Sequence, residues 1–295
     1  MKKTIISLVA LTSLGWSGTA MAKDLTVVAS FTVLGDMVKQ IGGNHVQLRS
    51  LVGPNGDPHV YEPTPQDGEA LSKADLVFVS GLGLEGWMNR LITASGYKGQ
   101  IVISSVGIKT RKMVDDGQEI TDPHAWNSAA NGVIYAQNIT KALIAADPAD
   151  AADFKTSDEA YEKKLWQLDA WARREVQTIP QEKRKIITSH DAFSYMGAAY
   201  GIEFKAPLGF STESEASATD VAALIDQIKK ERIKAVFLEN SNDPRLVEQI
   251  ASATGAKLGG TLYAEALSEA NGPAPTYTDM FHYNIETLVK GMTTN

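Results

Sequence analysis

The sequence predicts an α/β protein with two lobes of parallel-type sheet flanked by helices, joined by one long rigid helix. Short apolar segments rich in β-branched residues alternate with amphipathic segments over residues 24–105, and the alternation resumes after Pro180. Between these regions the pattern is helical, from residue 131 to about residue 179. A repeated strand–helix–strand order is typical of a mostly parallel sheet with helices on both faces. One such sheet is therefore expected on each side of the helical region.

The first lobe is predicted to span residues 23–145. The helix after the first strand is expected to end at Gly42, because glycine favours helix C-termini. The stretch ADLVFVSG has the unbroken apolar character of a strand buried on both faces. Strands are predicted at residues 24–30, 45–52, 74–81 and 100–105, and helices at 31–43, at a segment ending with 71–74, and at 84–94.

Residues 146–179 are predicted to be a connecting helix. Within 151–179, apolar side chains recur at helical spacing with charged residues between them. A helix of nearly thirty residues is about 40 Å long at ~1.5 Å per residue. That length exceeds what a small α/β lobe needs for its own crossover, so the segment is interpreted as a rigid connector.

The second lobe is predicted to span residues 180–295. Its pattern repeats the strand–helix order of the first lobe and closes with a helix at the C-terminal end. Strands are predicted at residues 183–189, 234–240 and 257–263, and helices at 192–201, 221–233, 245–256 and 276–292.

The N-terminal residues 1–22 have the features of a secretory signal peptide. Lys2 and Lys3 precede an apolar run, and Ala20-Met21-Ala22 is a small-x-small cleavage pattern. The apolar run is too short for a membrane span, so a mature chain beginning at Lys23 in an exported compartment is expected. Because the sequence contains no cysteine, anchoring through a lipid-modified cysteine is excluded.

Composition excludes several classes of function. Without cysteine there are no disulfides and no thiolate metal ligands. The net charge of −7 becomes −9 when Lys2 and Lys3 are removed with the signal peptide, and no basic run follows. An acidic chain of this kind is not expected to bind nucleic acid.

Two of the five histidines occur in the same tripeptide, as Asp57-Pro58-His59 and Asp122-Pro123-His124. Asp-Pro alone is a common turn opener, but two copies that both end in histidine favour a chemical role. The prolines restrict the backbone just before each histidine, and the aspartates could accept a hydrogen bond from an imidazole or cap a turn. His190 directly follows a predicted strand, in TSHDAF. Since ligands bind at the carboxyl ends of parallel strands, we expect the three histidines to lie together.

Three histidines without cysteine need a carboxylate to complete the four ligands that zinc prefers. Glu265 follows the predicted strand KLGGTLY, which repeats the strand-end placement of His190. Asp279 lies in an amphipathic helix, where an acidic residue is more often a solvated or first-turn charge. The predicted metal ligands are therefore His59, His124, His190 and Glu265, with no catalytic residue assigned.

Over nearly the whole mature length, the chain resembles the zinc- and manganese-specific solute-binding proteins of bacterial ABC importers. The matching motifs are GDPHVYEPTPQD, ADLVFVSGLGLEGWM, TDPHAWNS, TSHDAFSYMGAAYG, and AVFLEN with TLYAEALS. The resemblance implies one metal ion in a cleft between two lobes, with one histidine from each of the first two loops, matching His59 and His124. It also implies a histidine or glutamate at His190 and a carboxylate at Glu265. That carboxylate is often aspartate in the family, so glutamate is a departure, although some zinc-binding members have it.

The resemblance also implies a function, location and partners. The chain is expected to be the periplasmic component that delivers one divalent ion to an inner-membrane ABC permease, and to be a monomer rather than an enzyme. Three histidines and one glutamate favour Zn²⁺, whereas manganese carriers tend to have two histidines and two carboxylates. The long histidine-rich loop of many zinc carriers is absent from residues 110–122.

Three alternatives stay open. One is carriage of Mn²⁺ or iron(II) by the same kind of protein. Another is a secreted zinc hydrolase, which requires an open coordination position and a general base; no His-Glu-x-x-His motif occurs. The third, a metal-dependent adhesin, has no positive sequence support.

Overall fold

The computed structural model describes residues 24–115, 117–207, 209, 212 and 217–293. The predicted signal peptide, residues 1–22, lies outside this part of the chain. Within it, no helix combines the length and the apolar character needed to cross a bilayer. Two four-stranded parallel sheets, one on each side of a long helix, form the framework, which confirms the predicted fold class.

Seven elements form the first lobe, in chain order: β1 (Leu25–Phe31), α1 (Thr32–Gly42), β2 (Val46–Val52), α2 (Pro65–Lys73), β3 (Leu76–Val79), α3 (Met88–Ser95) and β4 (Gln100–Ile103). The strand order is β2-β1-β3-β4, with all pairs parallel. β1 and β3 lie inside the sheet, and their side chains are almost all buried. Their unbroken apolar sequences therefore match strands covered on both faces.

Four elements lie between the two sheets: β5 (Lys112–Asp115), β6 (Gln118–Thr121), α4 (Ala129–Ala146) and α5 (Ala151–Gln177). β5 and β6 form an antiparallel hairpin that was not predicted, because both strands are short, polar and largely exposed. α5 has 27 residues and packs against α1 and α4 on the side of the first lobe.

Eight elements follow α5: β7 (Lys185–Ile187), α6 (Ser194–Tyr200), β8 (Glu203–Lys205), α7 (Ala218–Glu231), β9 (Ala235–Glu239), α8 (Arg245–Thr254), β10 (Lys257–Leu262) and α9 (Tyr277–Met292). The strand order is β10-β9-β7-β8, again with parallel pairs. β8 was not predicted, because three residues of sequence EFK carry no strand pattern. α6 and α9 pack against α5, so this helix is supported from both sides and is a rigid connection.

The two sheets share one topology. If β7 to β10 are counted as first to fourth, both sheets have the order 2-1-3-4. In each sheet the second strand lies on one side of the first strand, and the third strand lies on the other side. The order of the strands therefore reverses there, and a crevice opens at the carboxyl ends of β1 and β3, and of β7 and β9. Such switch points are where open parallel sheets bind ligands.

An apolar core runs from the first sheet through α5 to α9. At the junction of the lobes, Trp126 is fully buried and its ring meets Phe31 edge-on, with centroids 4.9 Å apart. Trp126 Nε1 donates to the carbonyl of Ala264, 2.8 Å away, and Tyr277 Oη donates to the carbonyl of Trp126 at 2.6 Å. These contacts hold the two crevices facing each other.

Candidate metal centre

Four side chains meet between the lobes: His59, His124, His190 and Glu265. His59 lies in the loop after β2, His124 lies between the hairpin and α4, and the other two follow β7 and β10. One potential ligand atom from each residue lies within 4.8 Å of the other three. The structure therefore brings together all four residues that the sequence predicts as ligands, including a pair 206 positions apart.

The spacing of these atoms suits a metal ion. His59 Nε2 lies 3.2 Å from His124 Nε2 and 3.0 Å from Glu265 Oε1. His124 Nε2 lies 3.7 Å from the same carboxylate oxygen, which His190 Nε2 also contacts. Four ligand atoms held ~2.1 Å from a tetrahedral zinc ion are ~3.4 Å apart. The three distances given are close to that value, whereas His190 Nε2 and Glu265 Oε1 lie closer together, so a small cation fits among the four side chains once this pair moves apart.

The cluster is almost fully shielded from water. The side chains of His124, His190 and Glu265 have no exposed surface, and that of His59 is 3% exposed. Among the described residues, Glu265 Oε2 has no hydrogen-bond partner. A buried carboxylate oxygen without a partner is unfavourable, and a bound cation would satisfy it.

The pKa values of the cluster show how it balances charge. Burial raises the pKa of Glu265, but the nearby His59 and His190 lower it more, so its pKa lies well below the ordinary value. Burial lowers the pKa of His190, but Glu239 and Glu265 raise it more, so its pKa lies well above the ordinary value. The centre therefore already stabilises positive charge beside Glu265, and a metal ion can replace that charge.

The repeated Asp-Pro-His sequence forms the same local structure in both copies. Asp57 Oδ1 accepts a hydrogen bond from the backbone N–H of His59 at 2.8 Å, and Asp122 Oδ1 does the same for His124 at 2.9 Å. Each aspartate closes a tight turn onto the residue two positions later, with proline holding the backbone between them. The repeat therefore presents two imidazoles from similar rigid turns.

His124 is also oriented through its ring. Its Nδ1 lies 2.8 Å from Asp122 Oδ1, while Asp122 Oδ2 accepts a hydrogen bond from Ser194 Oγ in α6. Burial raises the pKa of Asp122, but the contacts with His124 and Ser194 lower it below the ordinary value. An ionised Asp122 fixes the Nδ1–H tautomer and leaves Nε2 as the electron-pair donor that faces the centre.

His190 has an equivalent carboxylate partner in Glu239, at the end of β9. His190 Nδ1 lies 2.5 Å from Glu239 Oε2, and Asn242 Nδ2 lies 3.2 Å from the same ring nitrogen. Glu239 Oε1 accepts hydrogen bonds from the backbone N–H groups of Ser189 and His190, at 2.8 and 3.1 Å. Glu239 thus fixes both the ring and the turn that carries it.

The loop carrying His59 is held by contacts on both sides. Trp87 Nε1 donates to the carbonyl of Pro58 at 2.7 Å. Asp57 Oδ2 accepts a hydrogen bond from Thr212 Oγ1, 2.7 Å away in the second lobe. Further along, the buried Asp67 accepts hydrogen bonds from Tyr61 Oη at 2.7 Å, from the N–H of Thr64 at 2.8 Å and from its hydroxyl at 2.8 Å.

Asp67→Asn is expected to lower the free energy of unfolding by about 2 kcal/mol at pH 7. The side-chain amide of asparagine has a single acceptor oxygen, so it cannot accept the hydrogen bonds from Tyr61 and Thr64 and also pair with Arg49. Burial raises the pKa of Asp67, but the hydrogen bonds from Thr64, Tyr61 and Arg49 lower it below 3.8. The stability contributed by Asp67 is therefore complete above its unfolded pKa and is lost as the pH falls through the lower, folded value. Urea unfolding of both proteins from pH 7 to below pH ~4 measures the change.

The control is Glu69→Gln, on the same helix, whose carboxylate pairs with Lys73 at the surface. This variant should leave the free energy of unfolding essentially unchanged, because an exposed ion pair contributes little to stability. If the difference between Asp67→Asn and wild type stayed constant down to the lowest pH at which both fold, the ionised state of Asp67 would not be what stabilises this loop.

The position of Glu265 depends on the first lobe. The carbonyl of the preceding residue, Ala264, accepts hydrogen bonds from Trp126 Nε1 at 2.8 Å and from Asn127 Nδ2 at 3.2 Å. Asn127 Nδ2 also donates to the carbonyl of Ala192, two residues after His190, at 2.9 Å. Residues next to His124 therefore set the positions of both ligand candidates in the second lobe.

The other candidate carboxylate and the two remaining histidines lie away from the metal centre. Asp279 is exposed in the first turn of α9, where its carboxylate accepts a hydrogen bond from the hydroxyl of the N-cap residue Thr276 at 2.6 Å. His45 lies at the surface between Asp150 and Asp153, at 2.7 and 3.1 Å. His282 packs against Trp171, with ring centroids 4.2 Å apart.

Sequence reasoning missed part of the support around the ligands. Glu239 ends the strand AVFLEN, where a polar residue is a possible hydrogen-bond acceptor but also has an ordinary explanation, and Trp126, Asn127 and Asp67 were not identified. The available signals were the AVFLEN strand end and the Thr-Pro-x-Asp start of α2, which forms a capping box between Thr64 and Asp67. No sequence signal indicates that Trp126 reaches across to Ala264.

Two parallel α/β lobes, joined by a rigid helix and facing each other across a buried set of metal-binding side chains, define a two-lobe solute-binding protein for a small cation. Residues 27–291 match the family described as "ZnuA: Zinc-uptake complex component A periplasmic". The chain therefore belongs to this family of metal-binding solute-binding proteins of ABC transporters, which are extracytoplasmic binding components and not enzymes.

Relatives with different metals in their names are similar over most of their length. The manganese-binding lipoprotein MntA of Bacillus subtilis is 34% identical, covering 99% of this chain and 98% of the relative. The iron-binding protein YfeA of Yersinia pestis is also 34% identical, covering 92% and 87%. The structure of the periplasmic zinc-binding protein TroA of Treponema pallidum superposes with a TM-score of 0.86 at 32% identity, covering 91% of this chain and 99% of that one.

Proposed function

We propose that this protein captures Zn²⁺ and delivers it to a membrane permease, with His59, His124, His190 and Glu265 as the ligands. The observation that carries the proposal is the ligand chemistry: three imidazole nitrogens and one carboxylate oxygen at spacings suited to a tetrahedral ion. Imidazole suits zinc, while manganese favours oxygen, and the affinity of such sites already favours zinc over manganese.

Carriage of manganese or iron(II) is the alternative. It is supported by the names of similar proteins, which include manganese-binding and iron-binding ones. Against it, the buried centre contributes a single carboxylate, and the two further carboxylates that reach it, Asp122 and Glu239, are turned toward the outer nitrogens of two histidines. Oxygen ligands for a harder ion are therefore few.

Each lobe provides two of the proposed ligands. A cation bound by all four would join the lobes and satisfy the second oxygen of Glu265. Release then requires the two pairs of ligands to separate. The contacts of α5 with both lobes and the Trp126–Ala264 hydrogen bond limit how far they move apart, so we propose a small opening.

We also propose a periplasmic location after removal of residues 1–22, a monomer, one ion per chain and an inner-membrane ABC permease as the partner. The proposed domain division is 23–145, 146–179 and 180–295. It is supported by the two sheets, which use residues 25–103 and 185–262, with α5 between them.

Purified protein stripped with a chelator should bind one Zn²⁺ per chain and melt at a higher temperature once loaded. An ion at ~100 times its dissociation constant adds about 2.7 kcal/mol to the free energy of unfolding if only the folded state binds. Calorimetric titration measures the stoichiometry and a thermal scan measures the stabilisation.

His45→Ala is the matched control, because His45, Asp150 and Asp153 form a separate surface cluster. This variant should keep the stoichiometry of one and the same thermal shift. Equal melting temperatures for chelated and zinc-saturated wild type would contradict the proposal, as would loss of the tight site in His45→Ala. A preference of wild type for Mn²⁺ in competition titrations would leave metal carriage intact and transfer the proposal to manganese.

A further inference from the structure

A second polar groove lies at the junction of the lobes, outside the metal centre. It has a volume of about 420 Å³ and lies between the segment leading into β5, the start of α4 and α6. Besides Thr110, its polar lining includes six further side chains, those of Lys109, Arg111, Lys112, Ser128, Asn131 and Tyr195. Three of these six side chains are cations, within a chain whose net charge is −7.

The charge of its lining distinguishes this groove from the groove between α2 and α3. Among the described residues that line it, none is acidic. The larger groove, of about 600 Å³ between α2 and α3, contains Arg90 together with Glu69, so its charges are mixed. Among the described residues, Lys112 pairs with the distant Glu119, with 3.9 Å between charged atoms, and both side chains are more than half exposed. Such a pair leaves most of the positive charge available.

Arg111 is positioned by the structure around it. Its backbone N–H donates to Tyr195 Oη at 3.0 Å, and its Nε donates to Ser194 Oγ at 3.2 Å. Its carbonyl accepts from the N–H of Asp122 at 3.0 Å. Within the described residues, the two terminal nitrogens of its guanidinium have no hydrogen-bond partner. The guanidinium of Arg111 is thus held through Nε, while its two terminal nitrogens, which can form a bidentate contact, stay available.

We propose that this groove binds a small oxyanion carrying two or more negative charges. The guanidinium of Arg111 would take two oxygens, and Lys109 and Lys112 would neutralise the remaining charge. The hydroxyl of Ser128 and the amide of Asn131 lie at the start of the 18-residue helix α4, whose N-terminal end also favours negative charge. The inference does not depend on which metal occupies the centre.

Calorimetric titration of sodium sulfate and of sodium phosphate into metal-free wild-type protein tests this, with ionic strength held constant by sodium chloride. One saturable site is expected for either dianion. Arg111→Gln should lower the affinity about tenfold or more, through loss of the charged bidentate contact. The double variant Lys109→Gln/Lys112→Gln should lower it similarly without touching the Ser194 contact, which keeps the test valid if Arg111→Gln is poorly folded.

Arg90→Gln is the control, because it removes an exposed arginine from the groove of mixed charge. Its affinity for sulfate should equal that of wild type. Titration heats that do not saturate, or equal affinities in all four proteins, would show that the dianions only screen the protein's charge without occupying a site. Either result would overturn the proposal. Binding of a hexaglutamate peptide without binding of either dianion would identify an acidic protein segment as the occupant and would equally overturn it.

Discussion

Glu265→Ala is expected to lower the affinity for Zn²⁺ by more than about 100-fold, since loss of an outer contact to a metal ligand already costs 10–100-fold. The variant removes the single carboxylate that all three histidines approach, within 3.0 Å of His59 and 3.7 Å of His124. Three imidazoles would remain at the centre, without the carboxylate oxygen that completes the set of four. Competition titration against a chelator of known affinity measures the change.

Asp279→Ala is the matched control, because Asp279 is the other carboxylate that the sequence offers for this role. Its side chain is exposed and accepts a hydrogen bond from the N-cap residue Thr276, so zinc affinity should be unchanged while the start of α9 is weakened slightly. Thermal scans of the metal-free variants should separate lost binding from lost folding. Wild-type affinity in Glu265→Ala would show that this carboxylate is not a ligand, whatever the outcome for Asp279→Ala.

His190→Glu is expected to narrow the ratio of zinc to manganese affinity by about 100-fold, since it exchanges an imidazole for an oxygen ligand. The structure adds a complication that the sequence did not show. The new carboxylate would lie beside Glu239, whose Oε2 is 2.5 Å from His190 Nδ1. Two buried like charges would destabilise the metal-free protein and raise the affinity for any cation. The ratio of affinities, and not either affinity alone, is therefore the quantity to compare.

The double variant His190→Glu/Glu239→Gln removes that repulsion. Glutamine retains an oxygen that can accept from the N–H groups of Ser189 and residue 190, so the turn after β7 should keep its shape. We expect the narrowed ratio to persist in this background, measured by competition titration with both metals. A ratio equal to or wider than that of wild type in the double variant would mean that residue 190 does not determine the metal preference.

Much of the fold and centre could be predicted because both follow from local rules. Buried parallel strands are predicted by apolar runs such as LVFV in β3, and the residues that follow such strands meet at one edge of the sheet. This is why His190 and Glu265 could be placed together from sequence. Asp279 could be set aside because an acidic residue in a first helical turn has an ordinary explanation, and the structure gives it that one.

The features that could not be predicted depend on contacts distant in sequence or on segments too short to carry a pattern. β8 has three residues and β6 four, and each is a strand only because a neighbour pairs with it. The hydrogen bond from Trp126 to Ala264 joins residues 138 positions apart, with no motif to signal it. Glu239 was visible as a polar strand end, but its contact with His190 depends on the pairing of β7 with β9.

The arrangement of the two sheets along the chain has a consequence for how the protein matures. Each sheet uses one continuous stretch, so the first can assemble while the second is still being exported. At that stage, of the four candidate ligands, only His59 and His124 would be outside; His190 and Glu265 follow later in the chain. On the proposed ligand set, a partly exported chain would offer a cation only two imidazoles, and the set of four would be complete only when residue 265 is in place. With these four ligands, capture of the ion would be reserved for chains whose export is complete.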